Sequence, residues 1–317
     1  MSPLDPAALA LHLEQTYGIA VAGVAELDHG VMRVDRRDGP AWVARRFAAT
    51  RPLERSHGDA GILAGLEQLA FPAERAATAE PVSLLDGRAV LVTGLVPAVP
   101  RAQRRDAIRA AGGLPALGAL LGRLAMLEHP TPAFARPGGA WHHLVDGSPA
   151  DELSAARALV DETSAIAPPA ERGRIARIAQ ALATADGGAG LPEAFVHPDL
   201  TLPNVVAPPD GGLTLVDWAG AGRAPRACAL AFALWAAAGD DPRRIDRMVA
   251  GYRSRVEPTA DELDRLPALV RARPFMFDAW AFWRGRKSLE EVTRALAASA
   301  RRADEVADRA RRAFAAR

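Results

Sequence analysis

The stretch His197-Pro198-Asp199-Leu200-Thr201-Leu202-Pro203-Asn204 decides how this chain folds, and Leu215-Val216-Asp217-Trp218 completes it. Asn204 is the only asparagine among 317 residues; it stands five residues after Asp199 and thirteen before Asp217. Phe195-Val196 reads as a short strand entering a loop and residues 204–207 as a strand leaving it. Pro208-Pro209-Asp210-Gly211-Gly212 then turns the chain into a second strand at 213–216. Such a hairpin puts Asn204 at the start of one strand and Asp217 at the end of the other, so two oxygen ligands meet at one end of the ribbon.

An H-x-D-x-x-x-x-N loop is the spacing of phosphoryl-transfer chemistry. There the aspartate accepts the proton of the attacking hydroxyl, while the asparagine and a later aspartate hold the Mg²⁺ ions that bridge the nucleotide phosphates. In those terms Asp199 is the base, and Asn204 and Asp217 are the metal ligands. The bland alternative makes Asn204 a turn residue, Asp199 a loop carboxylate and His197 a satisfied core histidine. With seven histidines and one asparagine in the chain, the coincidence that alternative needs is a rare one.

Composition narrows the remaining classes. The chain is long enough for two lobes, and 49% of it is apolar, so a sizeable core is expected. A net charge of +1, with Arg and acidic residues interspersed, gives no basic stripe for nucleic acid. The single Cys228 excludes an internal disulfide and any multi-cysteine metal site, and suits a reducing compartment as a buried small hydrophobe. The first residues show neither a basic leader nor an apolar export segment, and the longest apolar run, 227–238, is too short to cross a bilayer. A cytoplasmic protein with no membrane contact is expected; the oligomeric state is left open. Lys287 is the only lysine, so single arginines carry less signal than usual.

Asp5-Pro6 opens a helix that ends near Gly18. Strands are expected at 19–27, 31–35 and 41–47 as a meander, a helix at 52–70, and a strand pair at 81–85 and 89–93 around Asp86-Gly87. Beyond residue 100, helical periodicity marks 101–128, 150–164, 170–184, 226–238, 241–256, 259–272 and 289–315. A boundary near residue 96 gives an N-lobe, 1–96, of five strands and a helix that binds nucleotide. The C-lobe, 97–317, is helical and carries the catalytic loop and acceptor site. His142-His143 beside Trp141 lack further ligands and read as loop residues.

The segments from His197 to Trp218, and Gly220-Ala221-Gly222-Arg223-Ala224-Pro225 after them, resemble the aminoglycoside phosphotransferase family, relatives of choline and protein kinases. The order of elements is similar as well. The resemblance implies an α+β fold, bilobal and protein-kinase-like, with a small β-rich N-lobe, a larger mostly helical C-lobe and ATP in the cleft between them. Trp42-Val43-Ala44-Arg45-Arg46-Phe47 is similar to the family's third strand and puts Arg45 where a lysine usually contacts the α- and β-phosphates, with Arg46 the rival. Asp59 takes the place of the helix glutamate, Gly30 marks a short phosphate-covering turn, and Thr93, Gly94, Leu95 and Val96 form the adenine hinge. Pro198 departs from the family's glycine, and Cys228-Ala229-Leu230-Ala231 lacks its aspartate. The implied activity is ATP- and Mg²⁺-dependent transfer to the hydroxyl of a small-molecule acceptor. That acceptor is an aminoglycoside-type antibiotic, in which case resistance follows, or alternatively a metabolite such as an amino alcohol, sugar or homoserine-like compound. A nucleotide-binding protein with little activity is the other class.

Overall fold

In the computed structural model, which describes residues 4–128, 131–141, 145–239 and 241–316, the side chain of Asp5 accepts the Ala7 amide and Pro6 sets the first turn of α1 (Pro6–Tyr17). Five strands follow, β1 (Val21–Asp28), β2 (Val31–Arg36), β3 (Trp42–Arg46), β4 (Val82–Leu85) and β5 (Arg88–Gly94), with α2 (Leu53–Gln68) between β3 and β4. They form one antiparallel sheet ordered β1-β2-β3-β5-β4, so the expected meander and hairpin join through β3 and β5, with Val43 opposite Thr93 and Arg45 opposite Leu91.

The two-residue period of a strand sorts this sheet into two faces. Trp42, Ala44, Val90 and Val92 pack with Leu9 and Leu13 of α1. Val43, Arg45, Leu91 and Thr93 line a pocket on the other face, together with Asp59 and Leu63 of α2. Arg46 therefore shares the α1 side, near Asp86 and Arg88, and Arg45 faces the pocket.

The chain divides into two compact units: Met1–Ala107 with Pro130–Ala133 and Val206–Ala219, and Ile108–His129 with Phe134–Val205 and Gly220–Arg317. The expected boundary near residue 96 lies inside the first. Its reach to Ala107 has a local cause, since the Val99 amide bonds the Ala207 carbonyl at 3.3 Å. The same unit seals its interior with Phe71 edge-on to the buried Trp218, ring centroids 5.9 Å apart.

Helices dominate the second unit: α4 (Gly113–Ala125), α5 (Pro149–Ile166), α6 (Pro169–Ala183), α7 (Arg226–Ala237), α8 (Arg243–Arg253), α9 (Ala260–Trp283) and α10 (Leu289–Ala315). The helix expected over 101–128 is broken: a 3₁₀ turn and α3 (Arg104–Ala110) precede α4, because Gly112 and Gly113 take φ of +95° and +60°. The one expected over 259–272 runs on to Trp283 through Pro267 and Pro274, since Phe275, Met276 and Ala279 are buried against α5, α6 and α10. Core packing there outweighs the lost helical hydrogen bonds.

Between α4 and α8 the backbones touch: a Cβ built on Gly251 would lie 2.0 Å from the Pro115 carbonyl oxygen, and one on Gly118 would lie 2.2 Å from that of Met248. Gly251→Ala should therefore cost about 3 kcal/mol, the upper end for overpacking, because backbone on both sides has to yield. Gly173→Ala on α6, with nothing within 4 Å of the new methyl, should be neutral or slightly stabilising. Urea unfolding of the two variants checks the contrast.

Candidate active site

Strand β6 (Glu193–Val196) pairs antiparallel with β9 (Gly222–Pro225) and delivers His197 into the interior, where it is 1% exposed. The His197 ring accepts the Asp199 amide on Nδ1 at 3.1 Å, which braces the loop from below. The chain then turns tightly. The Asp199 carbonyl accepts the Thr201 amide at 2.9 Å, and a 3₁₀ turn over Leu202–Asn204 brings the asparagine back. Asn204 Nδ2 donates to the Asp199 carbonyl at 2.8 Å and to its carboxylate Oδ2 at 3.1 Å. Asn204 is thus the last residue of a 3₁₀ turn, not the first of a strand. The ribbon strands β7 (Val205–Val206) and β8 (Thr214–Leu215) are two residues each and form the expected two-stranded sheet.

Behind this loop lies a buried ion pair. Glu152 of α5 and Arg273 of α9 meet at 3.2 Å, with side chains 3% and 8% exposed. Glu152 also accepts the Trp141 amide at 2.8 Å, and Arg273 donates to the Gly139 carbonyl at 2.8 Å. Burial holds the Glu152 carboxyl above the usual range; Arg273 opposes that, and the charge of Asp199 adds to it. Cys228 lines the same cavity, and burial pushes its thiol up to about 12, so it is no nucleophile.

In the first unit, Asp217 follows β8 with φ of +68°, a left-handed conformation rare for any residue but glycine. Its Oδ2 carries the Arg45 guanidinium at 2.9 Å, and its amide donates to Glu74 Oε1 at 2.7 Å. Glu74 Oε2 accepts the Thr93 hydroxyl at 3.0 Å. Burial opposes the Arg45 charge, but Asp217, Glu74 and Asp59 together hold its pKa above the ordinary value. Asp59 is wholly buried and takes Arg51 at 2.8 Å. It lines the Arg45 pocket, yet the strongest carboxylate influences on Arg45 are Asp217 and then Glu74.

The hinge is partly committed. The Gly94 amide bonds the Arg75 carbonyl and the Leu95 amide bonds the Ala41 carbonyl, each at 2.9 Å. Gly30, at φ +75°, serves the tight β1–β2 turn, and its carbonyl accepts the Arg46 amide at 2.8 Å. His142 and His143 lie outside the described residues. Among the described residues no three His, Cys, Asp or Glu side chains gather as a ready metal cage. Mg²⁺ takes one or two protein oxygens and completes its shell from phosphates and water, so its fit turns on single oxygen ligands. Asp217 already holds a cationic group, which is the chemistry such a ligand needs.

The sequence pattern of the Phosphotransferase enzyme family (APH) matches residues 26–269, more than three quarters of the chain. The chain belongs to this family. It is an ATP-dependent small-molecule phosphotransferase of the APH family, and its fold is the α+β kinase-like fold. Comparison with curated protein sequences finds no match. Among solved structures it is similar to an amicoumacin kinase in complex with AMP-PNP, Ca²⁺ and Ami (TM-score 0.62, 15% identity, 94% of this chain and 92% of that one). It is also similar to an aminoglycoside phosphotransferase from Streptomyces rimosus in complex with ADP and streptomycin (TM-score 0.58, 22% identity, 85% and 97%). A choline kinase from Streptococcus pneumoniae superposes as well (TM-score 0.59, 13% identity, 92% and 98%). These neighbours share the APH fold and differ in the acceptors with which they were named. Among the described residues no helix is long and apolar enough to cross a membrane.

Two parts of this candidate site were not anticipated from sequence. Glu74 stands in Phe71-Pro72-Ala73-Glu74-Arg75, where a lone acidic residue in an extended apolar stretch was the only signal available. Glu152 and Arg273 are 121 positions apart on separate helices, and no spacing rule links them.

Proposed function

We propose that this protein transfers the γ-phosphoryl group of ATP to a hydroxyl of a small molecule that is not a polycation. The observation that carries the catalytic part is the double hydrogen bond from Asn204 Nδ2 to the Asp199 carbonyl and carboxylate. It fixes the carboxylate's rotamer, so Asp199 orients and deprotonates the acceptor hydroxyl through its other oxygen. With Nδ2 so engaged, Asn204 has Oδ1 for a metal ion. Asp217 is the carboxylate ligand, and Arg45 contacts the α- and β-phosphates. Adenine is read at the hinge of Thr93, Gly94, Leu95 and Val96, where Gly94 and Leu95 already spend their amides internally and Val96 supplies the donor. Mg²⁺, when bound, neutralises charge on the transferring phosphoryl group; the protein supplies position and field.

The acceptor's charge follows from the carboxylates in the second unit. Glu262 is committed to Arg226 at 2.8 Å, Asp278 to Lys287, and Glu152 to Arg273. All three carboxylates are buried, and redirecting one would break a pair that already holds it. Asp261 with Arg265 and Glu290 with Arg294 are exposed pairs, worth at most about 1 kcal/mol each, and could be redirected. With the exposed Asp264, three such residues late in the chain make a weak trap for a polycation. The aromatic surfaces are also taken by cations: Arg273 lies 4.8 Å over Phe232 and Arg286 4.7 Å over Trp280. An amino alcohol, sugar or homoserine-like metabolite fits this field better than an aminoglycoside.

Mg²⁺-dependent ADP release across acceptors of graded charge tests both parts. Turnover should be stimulated by a neutral or zwitterionic hydroxyl compound, and expression in a sensitive host should leave aminoglycoside susceptibility unchanged. Aminoglycoside-stimulated turnover would overturn the assignment of charge. ATP binding with no acceptor-stimulated turnover in a broad panel would overturn the kinase assignment.

A further inference from the structure

We infer that Glu74 is a positioning residue of the phosphoryl-transfer site, taking over from Asp59 the part of the carboxylate that organises Arg45 and, through its backbone, Asp217. The inference rests on the proposal that Asp217 binds metal and Arg45 binds phosphate.

The local architecture explains why Glu74 is there. After α2 the chain runs extended and is stitched along both edges. On one side the Glu74 amide bonds the Leu215 carbonyl and the Leu215 amide bonds the Pro72 carbonyl, both at 2.9 Å. On the other, the Gly94 amide bonds the Arg75 carbonyl at 2.9 Å and the Ala77 amide bonds the Val92 carbonyl at 3.1 Å. Residue 74 is thereby fixed between the end of β5 and the residue two beyond Leu215.

Both carboxylate oxygens are used, and by groups of the site. Oε1 takes the Asp217 amide at 2.7 Å and Oε2 takes the Thr93 hydroxyl at 3.0 Å. The first bond has a specific task. A left-handed aspartate is strained and persists only where its surroundings over-determine it. Glu74 supplies that determination, at the residue whose carboxylate direction matters most. Glu74 lines the same pocket as Arg45, whereas the Asp59 carboxylate there receives Arg51 at 2.8 Å. Of the two carboxylates that line the Arg45 pocket, Asp59 is engaged by Arg51 and Glu74 by the Asp217 amide and the Thr93 hydroxyl, so Glu74 is the one that ties the pocket to Asp217.

The test measures binding of a non-hydrolysable ATP analogue by the full chain as a function of Mg²⁺ concentration, with no turnover, for the wild type, Glu74→Ala, Glu74→Gln, Thr93→Val and Asp217→Asn. Loss of an outer partner of a metal ligand characteristically weakens metal affinity about 10- to 100-fold, and the Mg²⁺ midpoint of Glu74→Ala should rise by that factor. Glu74→Gln keeps an oxygen for the Asp217 amide and should recover part of the loss, while Thr93→Val should shift the midpoint in the same direction by less. A residue that merely stabilises the fold would lower the melting temperature and leave the midpoint of the folded fraction where it is. Wild-type midpoints for both Glu74 variants, alongside a raised one for Asp217→Asn, would overturn the inference alone. An unchanged midpoint in Asp217→Asn would overturn the metal assignment and this inference with it.

Discussion

Asp199→Ala will lower kcat by about a thousandfold, within the range for loss of a positioned general base, while leaving the affinity for nucleotide near that of the wild type. The split follows from where the groups sit. Asp199 belongs to the unit that contains β6 and the catalytic loop, whereas Arg45, Thr93 and Asp217 belong to the other. Asp199→Asn is the sharper probe because it removes the basic oxygen at constant volume. Its amide oxygen can still accept from Asn204 Nδ2, which now donates to Oδ2 at 3.1 Å. Rapid-quench measurement of phosphoryl transfer, with nucleotide affinity measured separately, reads the two effects independently. A fall in nucleotide affinity as large as the fall in kcat would mean that Asp199 serves binding and not proton transfer.

The sequence made some of this site legible because some of its geometry is local. Asp199 and Asn204 are five residues apart, and a loop closed by two backbone turns can bring them together only in a few ways. The meander and the second hairpin were legible for the same reason, since Gly30 and Asp86-Gly87 mark tight turns, but the β3–β5 pairing that joins them is not local. The choice between Arg45 and Arg46 was not local. Alternation guaranteed opposite faces, but which face is the pocket depends on α2 packing against one side and α1 against the other. Glu74 was hidden for a similar reason, since its partners Thr93 and Asp217 lie 19 and 143 residues away. The missed extension of α9 is a case of burial overriding local signals. Pro274 stands just beyond the expected end of the helix, yet the packing of Phe275 and Met276 carries the helix through it.

The ion pair beneath the catalytic loop gives the largest expected effect on stability. Arg273→Ala should destabilise the protein by about 3 to 5 kcal/mol, because it strands the Glu152 carboxylate without its partner in a nearly dry site. Part of the cost has a distinct origin: the Gly139 carbonyl loses its donor, and Phe232 and Phe277 lose the guanidinium above them. pH separates the contributions. Burial already raises the Glu152 pKa, and Arg273 is the larger of the two influences that lower it, the Trp141 amide being the other, so the variant's carboxyl should titrate higher still. A carboxyl whose folded pKa lies above its unfolded value contributes stability at low pH and loses that contribution as pH rises through the folded pKa. The deficit of Arg273→Ala should therefore be largest at neutral and alkaline pH and shrink on acidification, as Glu152 takes up a proton. Glu152→Gln in the same background should remove that pH dependence while still accepting the Trp141 amide, and so return the electrostatic part of the loss. Denaturation at pH 8 and pH 5 of the single and double variants measures this cycle. An Arg273→Ala deficit that is equal at the two pH values would assign the whole cost to packing and the Gly139 bond, leaving the stranded charge no part in it.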